Sequence, residues 1–387
     1  MKKCFVLVIV LLLFLIRAEK AAAENESNLA AEQLQQLDLS EMETFWEELQ
    51  REAGEYIPEL SLEKILQWFR GDDRGFSPGE VLSGLWRFLW QEIYLNLSLL
   101  GKLLLLAVVA AVLKNLEKAF ANENIAAMTQ SVVYLALIVI AMHSFSIAVE
   151  LGRKTVGSMV DLILAVLPLL LALLASLGSL ASAAIFRPVI VFSVHFFASL
   201  TRGIIFPLIY LTTVLSIVNF FSPRITVSNM ANLLKNLAVW GMGLSMTVFT
   251  GLLSVYGLAS SVGDAVTIRT AKFATNLLPV VGGALSDAVE TVAGATLILK
   301  NTVHIAGILI LFFLVVFPLL KILVLVLIYK LAAALIQPLG ETDLCDSLNT
   351  MGNCLSLVFA AVAVVGLVFY LAITIIAGAG NASFMLR

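Results

Sequence analysis

Residues 303–331 read VHIAGILILFFLVVFPLLKILVLVLIYKL. Only His304, Lys321 and Lys330 interrupt an otherwise apolar run, which is too long for an ordinary strand and longer than the roughly 20 residues a helix needs to cross a bilayer. The same reading applies to Leu95 to Leu113, Ala126 to Val149, Leu162 to Ala184, Val189 to Val218, Leu237 to Ala259 and Leu355 to Ala379. These seven stretches define an all-α, polytopic helical membrane protein. An eighth, Leu277 to Leu299, carries Asp287, Glu290 and several glycines, so it spans only if shielded within the bundle and is otherwise re-entrant or interfacial.

Composition agrees. Of 387 residues 60% are hydrophobic and 13% charged, against about half and one quarter in water-soluble domains, so lipid must be the solvent for most of the chain. The charge is segregated: 16 of the 27 acids fall between Glu24 and Glu92, beside five bases. From Ile93 onward ten acids face fifteen bases with no basic stripe, which sets nucleic-acid binding aside.

The amino terminus has the layout of an export signal: Lys2 and Lys3, an apolar run from Cys4 to Ile16, then Ala21-Ala22-Ala23. Thirteen apolar residues reach only about 20 Å, short of a roughly 30 Å hydrocarbon core. Cleavage is expected between Ala23 and Glu24. It removes Cys4 and leaves Cys345 and Cys354, expected as free thiols because two cysteines make no disulfide framework.

The division that follows is a signal peptide (1–23), an acidic extracytoplasmic helical segment (24–92), two leading membrane helices (93–155) and two membrane units (156–266 and 267–387). In the acidic segment, apolar residues recur at helical spacing at Met42, Phe45, Trp46 and Leu49, and again at Leu62, Ile65, Leu66 and Phe69. Ser40 with Glu43 and Ser77 with Glu80 read as capping boxes, Pro78 as a first helical residue, Gly54 and Gly71 as helix ends. Two such stripes bury too little to fold alone, so docking onto the membrane part or onto partners is expected. The two membrane units rest on a 111-residue offset that lays Leu167-Pro168 on Leu278-Pro279, Phe206-Pro207-Leu208 on Phe317-Pro318-Leu319, and Gly241 with Leu244-Ser245 on Gly352 with Leu355-Ser356. Loop bases divide almost evenly between the two sides, so the signal gives the orientation, with the acidic segment outside the cytoplasm.

No phosphate loop, His-Glu-x-x-His, Gly-x-Ser-x-Gly or close Cys/His cluster is present, so no catalytic, metal or cofactor site is assigned and the chain reads as a non-enzyme. His143, His195 and His304 are read as structural. Charges within apolar stretches cost about 2.5–3.5 kcal/mol each on insertion scales and face protein or water. Lys102 and Asp161 lie near predicted ends, where snorkelling explains them. Arg202 and Lys321 lie deeper, each close to a Phe-Pro-Leu; two readings stay open, a polar conduit lined by both, or interhelical pairing and helix breaks. Kinks are expected at Pro168, Pro207, Pro279 and Pro318. The stretch 264–300, with Asp264, Arg269, Lys272, Pro279, Gly282, Asp287 and Lys300, is either an amphipathic linker or a gating or docking element.

Leu99-Leu100-Gly101-Lys102-Leu103, Leu113-Lys114-Asn115-Leu116 and above all Asp264-x-Val266-x-x-Arg269-x-x-Lys272 through Leu278-Pro279-Val280-Val281-Gly282, Leu285-Ser286-Asp287-Ala288 and Leu299-Lys300-Asn301 resemble the stage III sporulation protein AE family of endospore-forming bacteria. The resemblance implies a mother-cell subunit of a channel or secretion complex bridging the two membranes around the forespore, required after engulfment for activation of the late forespore sigma factor. It implies residence in the outer forespore membrane. The implied partners are a secretion-type ATPase, ring-forming intermembrane-space proteins, a forespore-side partner and a YidC/Oxa-type insertase. It carries no catalytic residues. From the repeat and the kinked, charged spans alone, a stand-alone secondary transporter or permease is the alternative.

Overall fold

The computed structural model describes residues 37, 39–56, 78–120, 123–221, 227–275 and 282–385. They form helices and no strand. The elements are α1 (Ser40–Ala53), α2 (Pro78–Phe120), α3 (Glu123–Ser176), α4 (Leu180–Leu200), a π-helical turn (Thr201–Ile205), α5 (Phe206–Phe221), α6 (Ser228–Thr275), α7 (Gly282–Ile336), a 3-10 turn (Gln337–Leu339) and α8 (Thr342–Met385). The signal region, its cut at Ala23 and Glu24, the second amphipathic stripe and Pro279 lie outside the described residues.

Six helical runs among the described residues are long and apolar enough to cross a membrane: Gly79–Leu113, Val132–Ser176, Leu180–Val218, Ser228–Gly257, Val292–Leu339 and Thr342–Gly378. The stretches Ala126 to Val149 and Leu162 to Ala184 are not separate helices; α3 runs through most of both without a break. Glu150, Arg153 and Lys154 interrupt the hydropathy between them, but all three are good helix formers and leave the backbone ladder intact. The break comes later, at Leu177–Ser179. There Gly178 takes a left-handed conformation (φ 85°), its N–H donating to Ala175 and that of Ser179 to Leu174, a Schellman closure. Likewise Leu277 to Leu299 is no independent element, since from Gly282 it belongs to α7.

α7 packs on α8, α3 and α2, with α3 also on α8 and α4. α7 and α8 run antiparallel, as three contacts show: Lys300 Nζ donates to the Ala377 carbonyl at 2.7 Å, Val315 meets Gly366, and Lys330 Nζ bonds Asn353 Oδ1 at 3.0 Å. α3 and α7 are antiparallel too, because Val166 lies against Gly307 while the Tyr329 hydroxyl reaches the Ala141 carbonyl. Hydroxyls inside this bundle, such as Thr155, Thr213 and Thr302, donate to the carbonyl four residues back, which lets them sit in an apolar core without a partner helix.

α1 is docked on α3 and α7 through the face its spacing predicts: Met42 and Leu49 are buried, and Phe45 and Trp46 pack partly. Its capping differs in detail. Leu39 occupies the position before the helix and its carbonyl accepts from Glu43, so Ser40 is already helical. Gly54 does follow the last residue, but with a right-handed φ of −59° that any residue adopts. Pro78 opens α2 as expected.

Candidate functional site

Two of the charges within the apolar runs, Arg202 and Lys321, lie close to prolines. Pro207 has no N–H and its ring crowds the carbonyl four residues back, that of Gly203; the chain widens into the π turn, in which the Phe206 N–H reaches back to Thr201. This turn carries Arg202 outward, exposed on the bundle surface, with its guanidinium over Gly157 of α3: a Cβ at that glycine would stand 3.6 Å from Nη1. Pro168, Pro188 and Pro318 sit inside continuous helices instead.

Beside Pro318 is a cavity of about 110 Å³, the volume of a few water molecules. α1 closes it with Phe45, Glu48 and Leu49; α3 supplies Lys154, Thr155 and Ser158, and α7 supplies Phe313, Phe317 and Lys321. Lys321 Nζ lies 5.9 Å over the Phe88 ring of α2, a cation–π contact, and within electrostatic reach of Glu92. Phe88 stacks edge-on with Phe317 at 4.7 Å and with Tyr56 at 5.4 Å, so the aromatic wall joins α2, α7 and the turn after α1.

Lys321 therefore lines a cavity and Arg202 does not. With about 100° per residue, Gly157 lies roughly a third of a turn around α3 from the Leu151, Thr155 and Ser158 face that lines the cavity. Both cations nonetheless share one level of the bundle: Lys154 and Lys321 line the same space, and Gly157 is only three residues from Lys154. Glu92, Glu48, Arg153 and Lys154 join this level. Sequence reading counted Glu48 and Glu92 among the acids of the exported segment and Arg153 and Lys154 among the bases between spans; for the last two, the signal is the continued i, i+3, i+4, i+7 register of Glu150, Arg153, Lys154 and Gly157 through the supposed break.

The long polar stretch divides differently. Asp264, Arg269 and Lys272 fall within α6, Gly282 begins α7, and Asp287 lies in its early turns. Lys300 is 1% exposed, deep between α7 and α8. His304, one turn on, is half-buried; its Nε2 has no hydrogen-bond partner among the described residues. His195 Nδ1 bonds the Val191 carbonyl of its own helix at 2.9 Å, and His143 is exposed on α3. Among the described residues no three His, Cys, Asp or Glu side chains gather as a metal site would require. Cys345 and Cys354 are unpaired thiols on α8.

Residues 60–380 match the sequence model of the family described as Stage III sporulation protein AE, a span that takes in α2 through most of α8. The chain belongs to that family. It is 39% identical over 366 residues to the Stage III sporulation protein AE of Bacillus subtilis (strain 168), covering 94% of this chain and 92% of that relative. No solved structure matches it. This is a sporulation family rather than a known enzyme family, and six helical runs among the described residues are long and apolar enough for a membrane protein.

Proposed function

We propose that this chain is a non-enzymatic membrane subunit of the channel or secretion complex that links mother cell and forespore after engulfment and is required for late forespore sigma factor activation. The observation that carries the reading is family membership over most of the chain. The docking of α1 supports it: an acidic helix held against the membrane bundle by its apolar face leaves its charged face free for a partner in the space between two membranes. In this reading the chain resides in the outer forespore membrane with its signal removed after Ala23 and the acidic segment outside the cytoplasm. It works with a secretion-type ATPase, ring-forming intermembrane-space proteins, a forespore-side partner and a YidC/Oxa-type insertase. The 264–300 stretch is then a docking or gating element, while Arg202 and Lys321 serve as interhelical polar residues near the two Phe-Pro-Leu segments.

The test is purification of the tagged full chain in mild detergent from sporulating cells. A stable hetero-complex containing the ATPase and ring proteins is the expected result. Recovery of the chain alone, together with transport of a defined solute in liposomes, would overturn it in favour of a stand-alone permease.

A further inference from the structure

α1 lies over the midpoints of the two longest rods. The cavity it closes joins its Glu48 and Leu49 to Thr155 of α3 and Phe317 of α7. Thr155 is near the centre of the apolar run Val132–Ser176 and Phe317 near that of Val292–Leu339, so each rod extends for roughly 30–40 Å on either side of α1. Glu41, Glu43, Glu47 and Glu48 are exposed on α1, and carboxylates are costly in hydrocarbon. A hydrocarbon core about 30 Å thick therefore takes one arm of the bundle and leaves the other outside it.

α2 distinguishes the arms. It ends at Phe120 and α3 begins at Glu123, so α2 runs back along the first half of α3. Trp86, Trp90 and Tyr94 are exposed on either side of Phe88, which lines the cavity, as in an aromatic belt at a membrane boundary. From that belt α2 stays apolar, Lys102 apart, through Leu113, one hydrocarbon thickness. The opposite arm holds the later halves of α3, α6 and α8: Gly241 of α6 and Val362 of α8 reach the cavity level beside Ile205 and Gly152, and Gly257 meets Ile375 further out.

α6 crosses this boundary with a bare stripe. Leu237, Trp240, Leu244, Val248, Gly251 and Val255 fall on one helical face and all are exposed, Leu244 by 65% and Val255 by 66%. A Cβ at Gly251 would meet nothing within 4 Å. No residue from Leu237 to Gly257 is charged. Outside the bilayer such a stripe has no lipid to cover it, and an apolar patch larger than a few hundred Å² in water marks a protein contact. Its occupant must offer an uncharged apolar helix at the same height both within and above the bilayer. A second copy in the same membrane does so by construction. We propose that the arm containing α2 lies in the bilayer, that the opposite arm stands outside it on the α1 side, and that the α6 stripe pairs two copies of this chain. On a two-fold axis along the membrane normal the two α6 helices run parallel with like residues facing, no charge is repelled, and Gly251 lets the backbones approach.

The full chain, its own cysteines replaced by serine, tests this in two ways. In proteoliposomes of phosphatidylethanolamine and phosphatidylglycerol, copper-phenanthroline oxidation is expected to yield a disulfide-linked dimer from Val248→Cys and from Val255→Cys, and none from Leu105→Cys on α2. In nanodiscs of the same lipids, where both membrane faces are open, a membrane-impermeant maleimide is expected to label Tyr370→Cys, about 12 Å beyond Val362 on α8, and to spare Leu105→Cys. Val248→Arg should weaken the dimer at least about tenfold by native mass spectrometry in mild detergent. Labelling of Tyr370→Cys with no linked dimer from either α6 variant overturns the second copy as occupant. Protection of Tyr370→Cys overturns the arm outside the bilayer. A wild-type chain that is monomeric in both detergent and nanodiscs overturns the pairing without recourse to any variant.

Discussion

A methyl group added at Gly366 of α8 stands 2.9 Å from Cγ1 and 3.1 Å from Cγ2 of Val315 on α7, where carbon atoms rest at about 3.5–4.0 Å. Val315 is a β-branched residue in a helix, held to one χ1 rotamer, so it cannot swing aside cheaply. Either the two central helices part or the valine leaves its rotamer, and overpacking of this kind costs about 1–3 kcal/mol. Alanine also has an intrinsic helix advantage of about 1 kcal/mol over glycine, which masks part of the penalty in the single variant. A double-mutant cycle removes that ambiguity, because the propensity gain appears in both Gly366→Ala backgrounds and cancels. Val315→Ala alone loses two methyl groups, at about 0.8 kcal/mol each plus a cavity contribution. In the double variant the nearest Val315 atom is Cβ at 3.6 Å, an ordinary contact. The double variant is therefore expected to be more stable than the sum of the singles by about 1–3 kcal/mol, measured by reversible denaturant unfolding of the purified chain in mild detergent. Additivity within about 0.5 kcal/mol would refute the close α7–α8 approach.

Met42→Asp, at a side chain 1% exposed, removes roughly 1.5–3 kcal/mol of apolar burial. It should release α1, seen as loss of hydrogen-exchange protection across residues 40–53 with α7 and α8 unchanged. Lys300→Met deprives the Ala377 carbonyl of a charged donor, a bond worth about 1.5–3 kcal/mol, so exchange near the end of α8 should quicken; Lys300→Gln, if it keeps a donor, should restore part of the protection. Asn353→Ala removes an exposed hydrogen bond to Lys330 and should change the unfolding midpoint by no more than about 0.5 kcal/mol equivalent.

Much of the architecture was legible because hydropathy and helical spacing report directly on what must be hidden. The stripe of Met42, Phe45, Trp46 and Leu49 identified the docked face of α1, and the apolar runs identified the bundle. Helix boundaries were less legible where a change of solvent affinity does not coincide with a change of backbone. Glu150 to Lys154 interrupt hydropathy without interrupting α3, whereas Gly178 ends α3 inside a run of uniform hydropathy. The level shared by Arg202, Lys154 and Lys321 was partly visible, since two of the three stood out as charges near proline. Their separation onto two sides of α3 depends on the π turn, a local response to Pro207 that Pro318, inside α7, does not repeat.

The unbroken lengths of α3 and α7, 54 and 55 residues, have a mechanical meaning. A rod of that size pivoting near the level of Gly157 by about 5° moves a point about 30 Å away by roughly 2–3 Å, while its opposite end travels the other way. Two such levers lie side by side, antiparallel in the chain and locked by Gly307 against Val166, with α1 resting on both near the fulcrum. A push delivered to α1 from outside would thus be geared to the far tips of both rods with no helix unwinding in between.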